Sequence, residues 1–166
     1  MKIGFIGCGN MASAMISGIL KKGIVEKGDI IASNTTEASS ARTKEKLGIQ
    51  TTTDNLEVVK FADIVFLAVK PYLYATVLSQ VKEAISPEQI VVSMTPGKTL
   101  QWLDEQLGGG HKVVRIMPNT PILVGEGISG ACHNEKVTEA DFEKIGAILN
   151  GFGKMRVVAE SLMDVV

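Results

Sequence analysis

The sequence predicts an α/β domain with a doubly wound, mostly parallel sheet, and three observations carry that prediction. Short apolar runs alternate with amphipathic segments along the chain, as in successive strand–helix–strand units. The runs are rich in Ile and Val with little polar alternation, as in strands covered on both faces. Glycine is frequent, at 17 residues, while aromatic residues make up 5%, which favours tight turns and close backbone packing over an aromatic-filled barrel.

Strands are expected at residues 2–6, 30–33, 64–69, 90–94 and 113–117. Residues 10–22 read as a helix, because Met11, Met15 and Ile19 recur at i+4 beside a second row of Ala12, Ile16 and Leu20. Gly23 then sits where a C′ residue would. Leu73, Val77 and Val81 trace another helix, with Pro71 in its first turn. A helix over residues 100–107, with Trp102 and Leu103 beside its apolar side, ends at Gly108, Gly109 and Gly110. Thr138 is placed to cap a helix running through Phe142 and Ile145 to Leu149. A last strand at residues 154–158 adds to the sheet at its C-terminal end. Ser161 can cap a further helix, but the sequence stops at Val166. The expected division is one domain over residues 1–160 and, over residues 161–166, the truncated start of a C-terminal helical domain, with a fraying tail as the plainer alternative.

A composition of 45% hydrophobic and 21% charged residues suits a globular protein with a substantial core. The formal charge of -1 leaves no electrostatic footprint for nucleic acid or an anionic membrane, so neither is expected as a partner. No apolar run approaches the ~20 residues needed to span a bilayer. The short apolar N-terminus flows straight into glycine-rich sequence, unlike a signal peptide. Two cysteines, Cys8 and Cys132, make no disulfide framework. A cytoplasmic setting is expected.

The strongest chemical signal is Gly7, Cys8, Gly9, Asn10, Met11 and Ala12, between the first strand and the first helix. Gly7 permits a tight turn, Gly9 leaves room for a pyrophosphate, and Ala12 keeps helix and strand close as a variant of the third glycine. The helix N-terminus then offers free N–H groups and the positive end of its dipole. Strand, glycine loop and helix in this order, followed by another strand–helix repeat, predict a Rossmann-type dinucleotide-binding unit over residues 1–160. NAD-selective units usually end the second strand on an acid that binds the ribose 2′-hydroxyl. Here Ser33, Asn34, Thr35 and Thr36 stand there, with Glu37 beyond and Arg42 and Lys44 in the next helical segment. The missing carboxylate favours NADPH over NADH, NADH remaining admissible, although no arginine follows Asn34 directly.

Two loops follow at strand ends, where ligands sit in open parallel sheets. Ala68, Val69, Lys70 and Pro71 are placed to border the nicotinamide half of the cofactor. Arg115, Ile116, Met117, Pro118, Asn119, Thr120 and Pro121 end the strand that begins near Val113 in a loop stiffened by two prolines, with Asn119 as its most useful hydrogen-bonding group. Gly125, Glu126 and Gly127 allow another bend.

Taken together, these residues resemble the cofactor-binding domain of the pyrroline-5-carboxylate reductases. The resemblance rests on residues 4–12, on residues 68–71, and on residues 115–121 followed by 125–127. It implies that Ile6, Gly7, Cys8, Gly9, Asn10 and Met11 cradle the pyrophosphate and that Asn34 and Asn55 border the adenosine and ribose. Ala68, Val69, Lys70, Pro71, Met94, Thr95 and Pro96 would line the nicotinamide side, and Asn119 would face a small-molecule substrate. The implied reaction is hydride transfer to the cyclic imine 1-pyrroline-5-carboxylate, giving proline. Members of the family continue into a helical domain that forms a homodimer or higher homo-oligomer and completes the substrate pocket. The catalytic residues are therefore expected there, and the chain is expected to bind cofactor but to turn over imine poorly.

Another reductase of the β-hydroxyacid dehydrogenase kind, or a non-catalytic nucleotide-sensing module, is the alternative. No metal site is expected, because Cys132 and His133 lack further ligands at suitable spacing. The Cys8 thiol lies near a helix N-terminus that can lower its pKa, yet reads as a passive small side chain. Trp102 reads as core filling and His111 as an isolated structural residue.

Overall fold

A computed structural model describes residues 1–165. Its strands are β1 (Ile3–Ile6), β2 (Ile30–Ser33), β3 (Gln50–Thr52), β4 (Ile64–Leu67), β5 (Ile90–Ser93), β6 (Lys112–Pro118), β7 (Gly127–His133) and β8 (Gly153–Val157). The helices are α1 (Asn10–Lys21), α2 (Glu37–Leu47), α3 (Asn55–Phe61), α4 (Tyr74–Val81), α5 (Leu100–Gln106) and α6 (Glu139–Leu149). The strands form one sheet in the order β3-β2-β1-β4-β5-β6-β7-β8. The first six are mutually parallel, β7 runs antiparallel to β6, and β8 runs parallel to β7. The order reverses between β1 and β4, which places a crevice beyond their carboxyl ends. Phe5 and Phe66, paired across these two strands, stack with centroids 4.8 Å apart.

Alternate residues of each central strand point to opposite faces. Ile3, Phe5, Ile64, Phe66, Ile90 and Val92 meet Ala12, Met15, Ile16 and Ile19 of α1 and Ile145, Ile148 and Leu149 of α6. On the other face, Ile6, Val65, Leu67 and Val91 meet Val58 and Val59 of α3, Tyr74, Val77, Leu78 and Val81 of α4, and Leu100 and Leu103 of α5. Burial of β1, β2, β4 and β5 on both sides explains their unbroken apolar runs.

The expected doubly wound, mostly parallel sheet with extra C-terminal strands is the fold observed. Two strands escape the apolar-run criterion. The edge strand β3 is polar, and β7, Gly-Ile-Ser-Gly-Ala-Cys-His, is built from small residues where only a bend at residues 125–127 is expected. Pro71 opens a short 3-10 turn (Pro71–Leu73) that precedes α4, rather than the helix itself. The capping prediction for α6 holds: Thr138 Oγ1 accepts from the Asp141 N–H, and the Asp141 carboxylate accepts from the Thr138 N–H. Trp102 lies half-buried at the margin of the core, with the Lys98 ammonium 4.5 Å from its ring centroid. Residues 160–165 form a 3-10 turn (Glu160–Val165) whose Met163 is fully buried against the sheet. Among the described residues, no helix is long and apolar enough to cross a membrane.

Candidate functional site

The parallel register lines up Ser33, Ile6, Leu67, Ser93 and Arg115 across β2, β1, β4, β5 and β6. Gly7, Asn34, Ala68 and Met94 each follow one of the first four strands. They therefore emerge along a single edge of the sheet, and Asn119 follows β6 near that edge. The strand order assembles most of the expected residues into one row.

Gly7 turns the chain with φ +92°, and a Cβ there would stand 2.9 Å from the Ala68 carbonyl oxygen. The first βα turn thus lies directly against the end of β4. Gly9 is the N-cap of α1, and a Cβ there would meet nothing within 4 Å beyond its chain neighbours among the described residues. It brings no side chain to the first-turn amides, and α1 carries no acid there. By contrast α2, α3, α5 and α6 are capped by the side chains of Thr36, Asp54, Thr99 and Thr138. The N–H groups of Asn10, Met11 and Ala12 are geometrically without intrahelical acceptors. Together with the helix dipole they make an anion-receptive end. Ile6 is fully buried and Ala12 nearly so, so each serves the turn through its backbone and close packing. The Gly7 N–H is an exception to the free amides, since it donates to Ser33 Oγ at 3.1 Å.

Burial pushes the Cys8 thiol above its ordinary pKa, against the lowering influence of Ser13, Thr43 and Lys46. Desolvation outweighs these, although Sγ lies 3.6 Å from Ser13 Oγ in α1. The thiolate is suppressed.

At the end of β2, Ser33 Oγ receives the Gly7 N–H and donates to Asn55 Oδ1 at 2.7 Å. Asn55 Nδ2 donates to Gln80 Oε1 at 3.1 Å. These links join β1, β2, α3 and α4 beneath the turn, and they engage both ends of the Asn55 carboxamide. Asn34 is fixed through its N–H to the Thr52 carbonyl at 3.0 Å, while its Oδ1 is buried with no partner among the described residues. The Arg42 guanidinium donates to Ser39 Oγ at 3.1 Å, reaching back toward the first turn of α2.

At the ends of β4 and β5, Tyr74 is the residue that sequence reasoning missed. Its hydroxyl donates to the Leu67 carbonyl at 2.7 Å, receives the Met94 N–H at 3.2 Å and lies 3.3 Å from Ser93 Oγ. Burial raises this phenol's pKa. The only sequence signal was a tyrosine adjoining the apolar stripe of α4. Lys70 and Pro71 are exposed, and Thr95 is buried with its Oγ1 unpartnered among the described residues. Asn119 is exposed, and its Oδ1 accepts the Ile128 N–H at 3.0 Å, closing the turn into β7. Half of its carboxamide therefore has a structural duty. Cys132 is pushed up to about 11 by burial and by the Glu160 charge, against Arg115. Among the described residues no group of three or more His, Cys, Asp and Glu is placed to hold a metal.

The chain is 41% identical over 165 residues to the pyrroline-5-carboxylate reductase of Methanosarcina acetivorans, covering 99% of this chain and 61% of that protein. A solved pyrroline-5-carboxylate reductase from Coxiella burnetii superposes with a TM-score of 0.93 at 33% identity, covering 98% of this chain and 60% of the other. The Plasmodium falciparum pyrroline carboxylate reductase, solved with NADP bound, gives 0.89 at 32% identity over 99% of this chain and 60% of that one. The chain resembles these reductases along nearly its whole length and spans about three-fifths of theirs. Residues 2–97, more than half of the chain, match the model of the family described as NADP oxidoreductase coenzyme F420-dependent, and the chain belongs to that family.

Proposed function

We propose that the chain is the NADP(H)-binding unit of a pyrroline-5-carboxylate reductase. The observation that carries the reading is the uncapped α1 N-terminus beneath the open Gly9. Residues 6–11 cradle the pyrophosphate, with the free N–H groups at the start of α1 facing it and the Gly7 N–H held by Ser33. Asn34 meets the adenosine ribose with a buried acceptor that has no donor among the described residues, and Asn55 supports that side through Ser33. The absence of a carboxylate at Asn34 removes repulsion of a 2′-phosphate, which favours NADPH while leaving NADH admissible. Residues 68–71 and 94–96 border the nicotinamide, and Asn119 faces the substrate. When bound, the dihydronicotinamide would supply hydride to the C=N carbon of 1-pyrroline-5-carboxylate while the ring nitrogen takes a proton from solvent, giving proline. What these residues contribute is orientation and exclusion of water.

The family match ends at residue 97, short of Asn119, so it bears on the cofactor more than on the hydride acceptor. The imine reading is supported by similarity that runs on through residues 115–121 in the reductases. Residues 1–160 form the cofactor unit in this reading, and residues 161–166 lead into the helical domain that carries self-association and the remaining substrate contacts.

Two titrations test the proposal. The chain should quench or enhance nicotinamide fluorescence saturably with NADPH, more tightly than with NADH. The complete protein should consume NADPH when given pyrroline-5-carboxylate but not a 3-hydroxy-acid/keto-acid pair. Absence of NADPH binding would refute the cofactor reading, and turnover of the keto acid alone would refute the imine reading.

A further inference from the structure

Arg115 is among the largest fully buried side chains of the protein, 1% exposed on β6 with Ser93 and Cys132 as its neighbours on β5 and β7. A guanidinium taken out of water is costly unless paired, and an apolar side chain of similar volume would often serve a core as well. Its partners come from the 3-10 turn Glu160–Val165. Nη1 donates to Glu160 Oε1 at 3.2 Å and Nη2 to Asp164 Oδ1 at 2.9 Å.

The same two oxygens have a second duty. Asp164 Oδ1 accepts the Gly97 N–H at 3.0 Å, and Glu160 Oε1 accepts the Leu100 N–H at 2.6 Å. Gly97 and Leu100 flank the end of the loop that begins at Met94 and runs into α5. One buried cation thus fixes two carboxylates, and each carboxylate ties down one main-chain amide of that loop. The hydrogen bonds are charge-assisted at both ends. On its far side the loop is held by the Tyr74 hydroxyl, which receives the Met94 N–H. Met94, Thr95 and Pro96 are therefore suspended between a phenol and a carboxylate pair. The Asp164 carboxyl is held below its usual range by the Gly97 N–H and by the Arg115 charge, as a carboxylate committed to both contacts should be.

We infer that Arg115 is a positioning residue: through Glu160 and Asp164 it sets the loop of Met94, Thr95 and Pro96 in place for the nicotinamide end of the cofactor. The inference rests on the cofactor reading above. It assigns the C-terminal turn a duty at the site through its hydrogen bonds to Gly97 and Leu100. Whatever moves residues 160–165 moves the nicotinamide side and leaves the pyrophosphate turn alone.

The test compares two ligands on the same chain: NADPH, and adenosine 2′,5′-bisphosphate, which lacks the nicotinamide half. Arg115→Met risks misfolding, so the primary variant is Asp164→Ala, whose side chain is half exposed. It should weaken NADPH roughly three- to tenfold, as loss of about one hydrogen bond does, and leave the bisphosphate unchanged. Asp164→Asn keeps an acceptor for the Gly97 N–H and should recover part of the loss. Equal weakening of both ligands, or of neither, would overturn the inference and make the cluster purely structural. If the unsubstituted chain bound neither ligand, the cofactor reading would fall and this inference with it.

Discussion

A methyl group on Gly7 would lie 2.9 Å from the carbonyl oxygen of Ala68, so the turn after β1 and the end of β4 are pressed together at the point where the strand order reverses. Gly7 also holds φ +92°, a conformation that side chains rarely tolerate. Gly7→Ala should destabilise the fold by about 1–3 kcal/mol, read as a lower urea midpoint at unchanged slope.

Ser33 is buried and serves two partners, the Gly7 N–H and Asn55 Oδ1. Ser33→Ala leaves a donor and an acceptor without it, at a cost of about 1–3 kcal/mol. Because one of those groups belongs to the glycine turn, dinucleotide affinity should fall beyond what the loss of stability explains. Melting curves with and without NADPH measure both quantities.

Asn34→Asp places a carboxylate where a 2′-phosphate is proposed to lie. NADPH should weaken by roughly tenfold, equivalent to ~1.4 kcal/mol, and NADH by less. Fluorescence titration of both cofactors checks this. Equal weakening would place Asn34 away from the 2′ position.

Asp141 links Lys112, at 2.8 Å, to the capping box of α6. Burial alone would raise its carboxyl, but the Lys112 ammonium and the Thr138 N–H and hydroxyl hold it below the ordinary range. A carboxyl with a depressed folded-state pKa stabilises the protein above its unfolded pKa of about 3.9. That stabilisation is lost as pH falls through the folded value. Asp141→Asn should therefore cost a nearly constant amount between about pH 5 and 8, and the gap to the unsubstituted chain should close progressively below about pH 4. Denaturation midpoints at several pH values follow the difference.

What was legible in the sequence is what burial writes into it. The four strands buried on both faces, β1, β2, β4 and β5, and the α1 stripe of Ala12, Met15, Ile16 and Ile19 carry unbroken or periodic apolar signals. The cap at Thr138 is a polar residue at the point where such a signal begins, whereas the Thr99 cap of α5 was not read from the sequence. β3 and β7 were illegible because an edge strand needs no apolar run and small residues suffice within β7. Gly7 and Gly9 could be assigned from their order alone, since turning and leaving room are properties of the backbone. Tyr74, Ser33 and Arg115 could not. Their roles depend on which strands become neighbours: Tyr74 reaches Leu67 and Met94 only because β4 pairs with β5, and Arg115 meets Asp164 only after the chain returns across the sheet.

The central claim is that the bare N-terminal amides of α1 hold a dinucleotide diphosphate, and Gly9→Ala tests it most directly. Beyond its two chain neighbours, no atom of the described residues lies within 4 Å of the added methyl, so the fold should survive with a cost near 1 kcal/mol, that of a poorer N-cap. Predicted is an NADPH dissociation constant raised at least tenfold, or ~1.4 kcal/mol, with a far-ultraviolet spectrum matching that of the unsubstituted chain. An unchanged dissociation constant in a folded Gly9→Ala chain would contradict the account.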